Sequence, residues 1–194
     1  MKVILVRHGE TEENKKGIMQ GHIPGKLSKL GIEQAKRLAF KLKDEKIDYI
    51  YSSDLDRAKD TAKEIAKFHT KVKIELVKSL REKFLGSWQG KTQKELGFSN
   101  NKVIPCPKDA ETTEAMFNRA KNFLDKLLET HKNKTVLLVG HGGINKALTA
   151  AITNKTSNEV KTIDNFHNTS LSIFELDENK NHKINLFNCI KHLD

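Results

Sequence analysis

Short apolar runs alternate along this chain with longer segments whose apolar residues recur at helical spacing, and this alternation limits the possible folds. Strands are predicted at residues 2–6, 47–51, 73–77, 135–139, 169–175 and 183–187. Helices are predicted after the N-cap Ser28 and over residues 54–68, 111–132 and 144–152. Such alternation is typical of the α/β class. We therefore expect an α/β three-layer sandwich, with a mostly parallel central sheet flanked by helices.

The chain has a suitable length for one domain of this class. Its 194 residues contain no internal repeat or linker that would divide them, so we predict a single domain over residues 1–194. The regular pattern breaks between residues 80 and 108, where glycines and two prolines interrupt it. A short helix is expected near residues 92–96. We predict that residues 80–108 form much of a lid.

The chain is basic, with 35 Lys and Arg against 25 Asp and Glu and a formal net charge of +10. The lysines are mixed with acidic residues, and aromatic residues make up only 6% of the chain. No basic run therefore carries the stacking side chains that nucleic-acid binding favours. We expect no nucleic-acid partner, although the positive charge would attract small anionic substrates.

No stretch of the sequence is suited to a membrane or to export. The apolar runs 3–6 and 136–139 are far shorter than the roughly 20 residues of a membrane-spanning helix. The first run is also too short for the core of a signal peptide. Cys106 and Cys189 form neither a metal-binding pattern nor a disulfide framework. We expect reduced thiols, no membrane partner and a cytoplasmic location.

Two predicted strands each end in a loop that carries a histidine beside glycine. Arg7, His8 and Gly9 follow the first strand, and His141 follows the strand at residues 135–139. In open α/β sheets, ligands bind beyond the carboxyl ends of the strands. The helix that starts after Gly143 would also present free N–H groups to an anion. A lone histidine here would more often be structural, but two of them, one with an adjacent arginine, predict an anion-binding site.

Five segments, in order along the chain, resemble the histidine phosphatase superfamily. They are Leu5-Val6-Arg7-His8-Gly9-Glu10-Thr11 with Asn14, residues 52–62 with Arg57, residues 80–90 with Glu82, Gly140-His141-Gly142-Gly143, and Asn168-Thr169-Ser170. The resemblance extends over nearly the whole chain, and five ordered matches are highly specific. It implies a phosphoglycerate-mutase-like fold and a phosphoryl-transfer reaction.

The resemblance also implies how the phosphate would be handled. His8 would attack phosphorus and become a phosphohistidine that water then cleaves, because neutral imidazole is a capable nucleophile near pH 7. Arg7, Arg57 and His141 would stabilise the charge of the transferring phosphoryl group. Asn14 would be a further donor. With these cations in place a metal is unnecessary, and we expect neither a metal nor a cofactor.

Glu82 would act as the general acid for the leaving group and then activate water. Lys83, the next residue, could contact a substrate carboxylate. The remaining residues expected to bind substrate or phosphate are Gln20, Gly21 and Gly142. A small phosphorylated metabolite is therefore the expected partner.

Residues 20–28 resemble the family's substrate loop, and the sequence departs from the family pattern both there and near Gly90. Pro24 and Lys26 stand where members often have an acidic residue and then a proline, and Gln89 stands where a glutamate usually precedes Gly90. The substrate therefore stays open among phosphoserine, α-ribazole phosphate, sugar phosphates and phosphoglycerates, which are all used within the superfamily. No segment is diagnostic of an oligomer interface, and a homodimer is possible.

The leading functional hypothesis is a phosphomonoesterase, and the alternative is a cofactor-dependent phosphoglycerate mutase. Family mutases are longer and carry an insertion near the acidic segment, whereas a smaller lid shields the phosphohistidine less from water and favours hydrolysis. A non-catalytic phosphate-binding member would have lost the nucleophile or the acid. An RNA-binding protein, suggested by charge alone, would show a strongly salt-dependent gel shift.

Overall fold

The computed structural model of the protein describes residues 1–98, 104–177 and 182–194. Among these residues, one sheet contains β1 (Lys2–Arg7), β2 (Tyr49–Ser52), β3 (Ile74–Leu76), β4 (Thr135–Gly140), β5 (Leu171–Glu175) and β6 (Lys183–Cys189). The α-helices are α1 (Glu12–Lys15), α2 (Lys29–Lys41), α3 (Asp56–Ala66), α4 (Thr113–Thr130) and α5 (Gly142–Ile152). All six predicted strands are present, and so are the four helices predicted outside residues 80–108.

The strand order in the sheet is β3-β2-β4-β1-β5-β6. The strands β1 to β4 run parallel to one another, whereas β5 and β6 pair antiparallel at one side. The predicted, mostly parallel sheet is therefore confirmed. Because β4 lies between β1 and β2, the carboxyl ends of three parallel strands meet at one edge.

The sheet has an apolar core on each face, because successive strand residues point to opposite sides. Val3 and Leu5 of β1 pack with α4 and α5. Ile4 and Val6 pack with α2 and α3 on the other face. Full burial of each such side chain contributes about 1.5–3 kcal/mol to folding. The three-layer α/β sandwich expected from the sequence is confirmed.

Side-chain caps determine where the long helices begin. The Ser28 hydroxyl accepts a 3.0 Å hydrogen bond from the N–H of Gly31 at the start of α2. The Thr112 hydroxyl accepts a 3.0 Å bond from the N–H of Ala115, so α4 begins at Thr113, two residues after the predicted start.

The expected helix near residues 92–96 is wrong. Thr92 caps only a single turn there, and the chain leaves that turn at Gly97, whose φ of +80° is incompatible with a right-handed helix. Thr92 instead forms an antiparallel bridge with Ile18. This bridge attaches the irregular segment to the residues that precede the expected substrate loop. The lid assigned to residues 80–108 stays a prediction.

The sequence also predicts a turn at residues 177–181, between β5 and β6, and this turn lies largely outside the described residues. Beyond it, β6 continues two residues past its predicted end, to Cys189. No helix in the described ranges is long and apolar enough to cross a membrane.

Candidate active site

The loops after β1 and β4 bring the two predicted histidines together. The paired strands end at Arg7 and Gly140, and the N–H of His8 donates a 3.0 Å hydrogen bond to the carbonyl of Gly140. His8 and His141 follow directly, and their ring centroids lie 5.1 Å apart. Both side chains are buried. Adjacent parallel strands thus combine two motifs that are distant in sequence into one site.

A hydrogen bond determines which nitrogen of His8 carries the proton. Nδ1 lies 2.7 Å from the carbonyl oxygen of Gly9. A carbonyl only accepts, so Nδ1 is protonated and Nε2 of the neutral ring keeps its lone pair. Burial, followed by the charges of Arg57 and Arg7, holds the pKa of His8 well below 6.5. His8 is therefore neutral at pH 7, with Nε2 in the form that a nucleophile requires.

His141 has the opposite tautomer. The Nε–H of Arg57 donates a 3.1 Å hydrogen bond to Nδ1 of His141, so the proton of the neutral ring lies on Nε2. Burial, followed by the charge of Arg57, holds the pKa of His141 well below its usual range. Nε2 is buried and has no hydrogen-bond partner within the described part of the chain. An unpaired buried donor is costly, so this N–H is suited to an anionic ligand.

Arg57 is buried at the start of α3, and it also holds the preceding loop. Its Nη1 donates to the carbonyls of Ile23 and Pro24, and its Nη2 donates to that of Gly21 over 2.8 Å. Burial lowers the pKa of Arg57 to about 10, so the side chain stays charged at pH 7. Arg57 therefore lies in the site as expected, but most of its donors contact protein atoms. Its role toward phosphate stays a prediction.

Arg7 contributes a second unpaired donor. Its Nη1 donates to the carbonyl of Phe166, while its Nε is buried without a partner among the residues described. Burial lowers the pKa of Arg7, and the charge of Glu82 opposes that shift. The Nε–H of Arg7 and the Nε2–H of His141 are thus two unpaired buried donors in one cationic site. This arrangement is suited to a phosphate group.

Glu82 faces the N-terminus of α5. Its Oε2 accepts a 3.0 Å hydrogen bond from the N–H of Gly143, and its Oε1 accepts a 2.8 Å bond from the N–H of Lys83. A Cβ atom at Gly143 would lie 2.4 Å from Oε1, so this close approach requires glycine. A Cβ at Gly142 would lie 3.8 Å from both Oε2 of Glu82 and Nε of Arg7. The carboxylate and the guanidinium therefore lie beside the same turn of α5.

Residues 3–189 match the histidine phosphatase superfamily (branch 1). The chain belongs to this superfamily. It is 36% identical over 167 residues to the "Metal-independent phosphoserine phosphatase" of Arabidopsis thaliana, with 80% of this chain and 70% of that protein covered. Phosphatases are therefore among its relatives.

Two further comparisons place this histidine phosphatase superfamily member among related proteins. It is 30% identical over 204 residues to "Phosphoglycerate mutase-like protein 4" of Arabidopsis thaliana, with 100% of this chain and 87% of that protein covered. The solved structure of Bacillus stearothermophilus YhfR aligns with a TM-score of 0.90 at 27% identity, over 100% of this chain and 99% of that one. The expected phosphoglycerate-mutase-like fold is confirmed.

The remaining predicted residues of this superfamily member surround the two histidines. Oδ1 of Asn14 accepts from the N–H of Thr11 over 3.1 Å, so the amide Nδ2 is its available donor. Gln20 is buried, and the carbonyl of Gly21 accepts from Arg57. Nζ of Lys83 lies 3.4 Å from the hydroxyl of Thr113. Within the residues described, no group of three or more His, Cys, Asp or Glu side chains is placed to hold a metal ion.

Sequence reasoning missed several residues that hold this phosphatase-family site in place. Nδ2 of Asn168 donates to the carbonyl of His8 over 3.1 Å, and Nε2 of His22 donates to that of Glu82 over 2.8 Å. Arg119 of α4 donates to the same Glu82 carbonyl over 3.0 Å. Asn168 belongs to a recognised segment, which was a usable signal. Arg119 looks like any charged residue on a helix face, so nothing in the sequence connects it with Glu82.

Proposed function

We propose that this protein is a metal-independent phosphomonoesterase, which hydrolyses small phosphorylated metabolites through a phosphohistidine on Nε2 of His8. The observation that carries this proposal is the pair of opposite tautomers in neighbouring rings. His8 has a lone pair on Nε2, and His141 has a proton on Nε2. In-line attack on phosphorus needs one nucleophile and nearby donors, and this pair supplies both. The phosphatases among the relatives support the same reaction class.

In the first step, Nε2 of His8 attacks phosphorus, and the N–P bond forms as the P–O ester bond opposite it breaks. The non-bridging oxygens carry the negative charge, which the unpaired N–H groups of His141 and Arg7 stabilise. Arg57 adds positive charge and keeps the His141 proton on Nε2. Asn14 adds a neutral donor. Charge-assisted hydrogen bonds contribute about 1.5–3 kcal/mol each, so several must converge.

Glu82 serves both halves of the reaction. It donates a proton to the leaving alkoxide, so the product departs as an alcohol. A water then attacks the phosphohistidine and transfers a proton to Glu82, which breaks the N–P bond and regenerates neutral His8. The position of the Glu82 carboxylate, beside the turn of α5 that also borders the Arg7 guanidinium, supports this role.

We further propose that the substrate carries a second anionic group near its phosphate. Lys83 follows the acid directly, and its ammonium lies 3.4 Å from the hydroxyl of Thr113 in the first turn of α4. A lysine and a helix N-terminus both favour negative charge. Phosphoserine, which is named for one relative, has a carboxylate that would suit this position.

A cofactor-dependent phosphoglycerate mutase is the second candidate, because one relative is named mutase-like. A mutase returns the phosphoryl group from histidine to substrate rather than to water. In this chain the sequence between Trp88 and the start of α4 at Thr113, near which family mutases carry an insertion, is short. Weak shielding of the phosphohistidine from water favours hydrolysis.

The test is hydrolysis of p-nitrophenyl phosphate in excess EDTA by wild type, His8→Ala and His69→Ala. His69 is the matched control, because its ring contacts the carbonyl of Leu42, remote from the site. We expect wild type and His69→Ala to hydrolyse the ester, and His8→Ala to lose turnover while it still binds phosphate in calorimetry.

Three outcomes would contradict parts of this proposal. Activity of His8→Ala near that of wild type would exclude the nucleophile. Inhibition by EDTA would exclude a metal-independent reaction. Absence of hydrolysis, together with transfer on 3-phosphoglycerate with a bisphosphoglycerate primer, would favour the mutase.

A further inference from the structure

Arg119 and Glu111 form a bidentate salt bridge. Neither residue belongs to the predicted phosphate site around His8 and His141. Nε of Arg119 donates to Oε1 of Glu111 over 2.7 Å, and Nη2 donates to Oε2 over 3.0 Å. The side chains are only 23% and 16% exposed. Burial alone would raise the pKa of Glu111, but the hydrogen bond and charge of Arg119 lower it overall. The Glu111–Arg119 pair therefore stays ionised at neutral pH.

This pair contacts the backbone on both sides of the proposed acid, Glu82. Arg119 donates to the carbonyl of Ser79 over 2.8 Å and to the carbonyl of Glu82 itself over 3.0 Å. Glu111 accepts a 3.1 Å hydrogen bond from the N–H of Phe84, and its own N–H donates to the Phe84 carbonyl over 2.9 Å. Irregular backbone from residue 79 to residue 84 is thus fixed to the start of α4.

The side-chain carboxylate of Glu82 is held by contacts of its own. Two backbone N–H groups, from Gly143 and Lys83, donate to its two oxygens. His22, from the expected substrate loop, donates to the same backbone carbonyl that Arg119 contacts. Displacement of this peptide unit would therefore strain the hydrogen bonds from Gly143 and Lys83 and change the position of the carboxylate.

We propose that Arg119, held by Glu111, is a positioning residue that sets the geometry of Glu82 for proton transfer to the leaving group. This inference rests on the proposed phosphatase function. A general acid must lie within hydrogen-bond reach of the leaving oxygen, and a misplacement of about 1 Å can cost about 100-fold in rate. Lysine at position 119 would keep the charge, but it lacks the rigid fork that contacts two carbonyls and a carboxylate together.

The test compares kcat for an alkyl phosphate, β-glycerophosphate, with kcat for p-nitrophenyl phosphate. Alkoxides need protonation to leave, whereas p-nitrophenolate leaves without it. For Arg119→Lys and for Glu111→Gln, we expect kcat to fall about tenfold or more with the alkyl ester and less than about threefold with the aryl ester. Glu82→Gln is the reference for the direction of this change.

Arg81→Lys is the matched control. Arg81 forms a comparable bidentate salt bridge with Asp54, and the two side chains are 29% and 22% exposed. Arg81 directly precedes Glu82 in sequence, but its side chain does not contact the Glu82 carbonyl. We expect its melting temperature to fall about as much as that of Arg119→Lys, and its alkyl-to-aryl ratio to stay at the wild-type value. In the double variant Glu82→Gln/Arg119→Lys, the second change should add no further loss specific to the alkyl ester, because the two residues act through one step.

Equal losses on both esters in Arg119→Lys and Glu111→Gln would overturn the inference, as would an Arg81→Lys variant that shifts the ratio equally. Fully additive alkyl-specific losses in the double variant would also overturn it. If wild type hydrolyses neither ester, or if His8→Ala remains active, the proposed function itself fails and the inference fails with it. Wild-type activity that depends on His8 separates these two kinds of failure.

Discussion

The Nε–H of Arg57 donates to Nδ1 of His141 over 3.1 Å, and this contact determines which nitrogen of His141 carries the proton. It forces the His141 proton onto Nε2, while Gly9 holds the His8 proton on Nδ1. The two rings, 5.1 Å apart, therefore have complementary Nε2 atoms, one with a lone pair and one with a proton. Two histidines with the same tautomer would provide two bases or two donors, but not one of each.

Arg57→Lys should remove this control of the tautomer. A lysine ammonium cannot donate to His141 and to the carbonyls of Gly21 and Ile23 at the same time. We expect kcat for p-nitrophenyl phosphate to fall about 100-fold. The ¹⁵N chemical shifts of His141 should show mixed tautomers, which a purely structural role would not require. Wild-type kcat together with an unchanged His141 tautomer would contradict this prediction.

Stability should fall on mild acidification because His8 and His141 resist protonation in the folded state. Burial first, and then nearby arginines, holds the pKa of each below 6.5. Below pH 6.5 the unfolded chain binds protons that these folded histidines do not. The free energy of unfolding should therefore decrease from pH 6.5 to 5, with a limiting slope of about 1.4 kcal/mol per pH unit for each histidine. Above about pH 7.5, where these histidines are neutral in both states, this contribution is constant.

Urea denaturation of wild type and His8→Gln at pH 7, 6 and 5 measures this dependence. The His8→Gln variant lacks one of the two histidines with a lowered pKa, so its free energy of unfolding should decrease less between pH 7 and pH 5 than that of wild type. An equal decrease in the free energy of unfolding for His8→Gln and wild type would show that the pKa of His8 is not lowered in the folded protein.

Gly143→Ala should impair proton transfer by Glu82 and leave the position of His8 unchanged. The new Cβ would lie 2.4 Å from Oε1 of Glu82, so the carboxyl group must move away from the start of α5. We expect hydrolysis of β-glycerophosphate to fall about tenfold and that of p-nitrophenyl phosphate to fall less. Glu82→Gln is the reference, because Gly143→Ala should change the ratio of the two rates in the same direction as loss of the acid itself.

Lys83→Met should reduce affinity only for substrates that carry a second anion. We expect KM for phosphoserine to rise about tenfold, which corresponds to one lost charge interaction of about 1.4 kcal/mol. KM for the simpler ester ethyl phosphate should hardly change. Lys36→Met, at an exposed position of α2, controls for the general loss of one positive charge. An equal rise in KM for both esters would contradict recognition of a second anion by Lys83.

Local patterns in the sequence were sufficient to predict the order of the six strands and the four long helices, with ends within about two residues of the observed ones. Apolar periodicity reports burial one strand or helix at a time, and caps such as Ser28 mark where helices begin. The junctions that carry His8 and His141 were recognisable for the same reason, since each is a short motif beside a strong strand. The helix expected near residues 92–96 was wrong, because the chain makes only a single turn there and leaves it at the left-handed Gly97.

The tertiary structure decided what these residues do to one another. The sequence names His8, Arg57 and His141, but the position of β4 between β1 and β2 is what brings them to one edge of the sheet. The two tautomers depend on individual hydrogen-bond partners, and the contact of Arg119 with the Glu82 carbonyl joins residues 37 positions apart. Such contacts form only once the helices are packed on the sheet. Apolar spacing within one segment therefore cannot predict them. The sequence by itself therefore determined the fold class and the identity of the reactive groups. The geometry and the protonation of those groups were decided by tertiary packing.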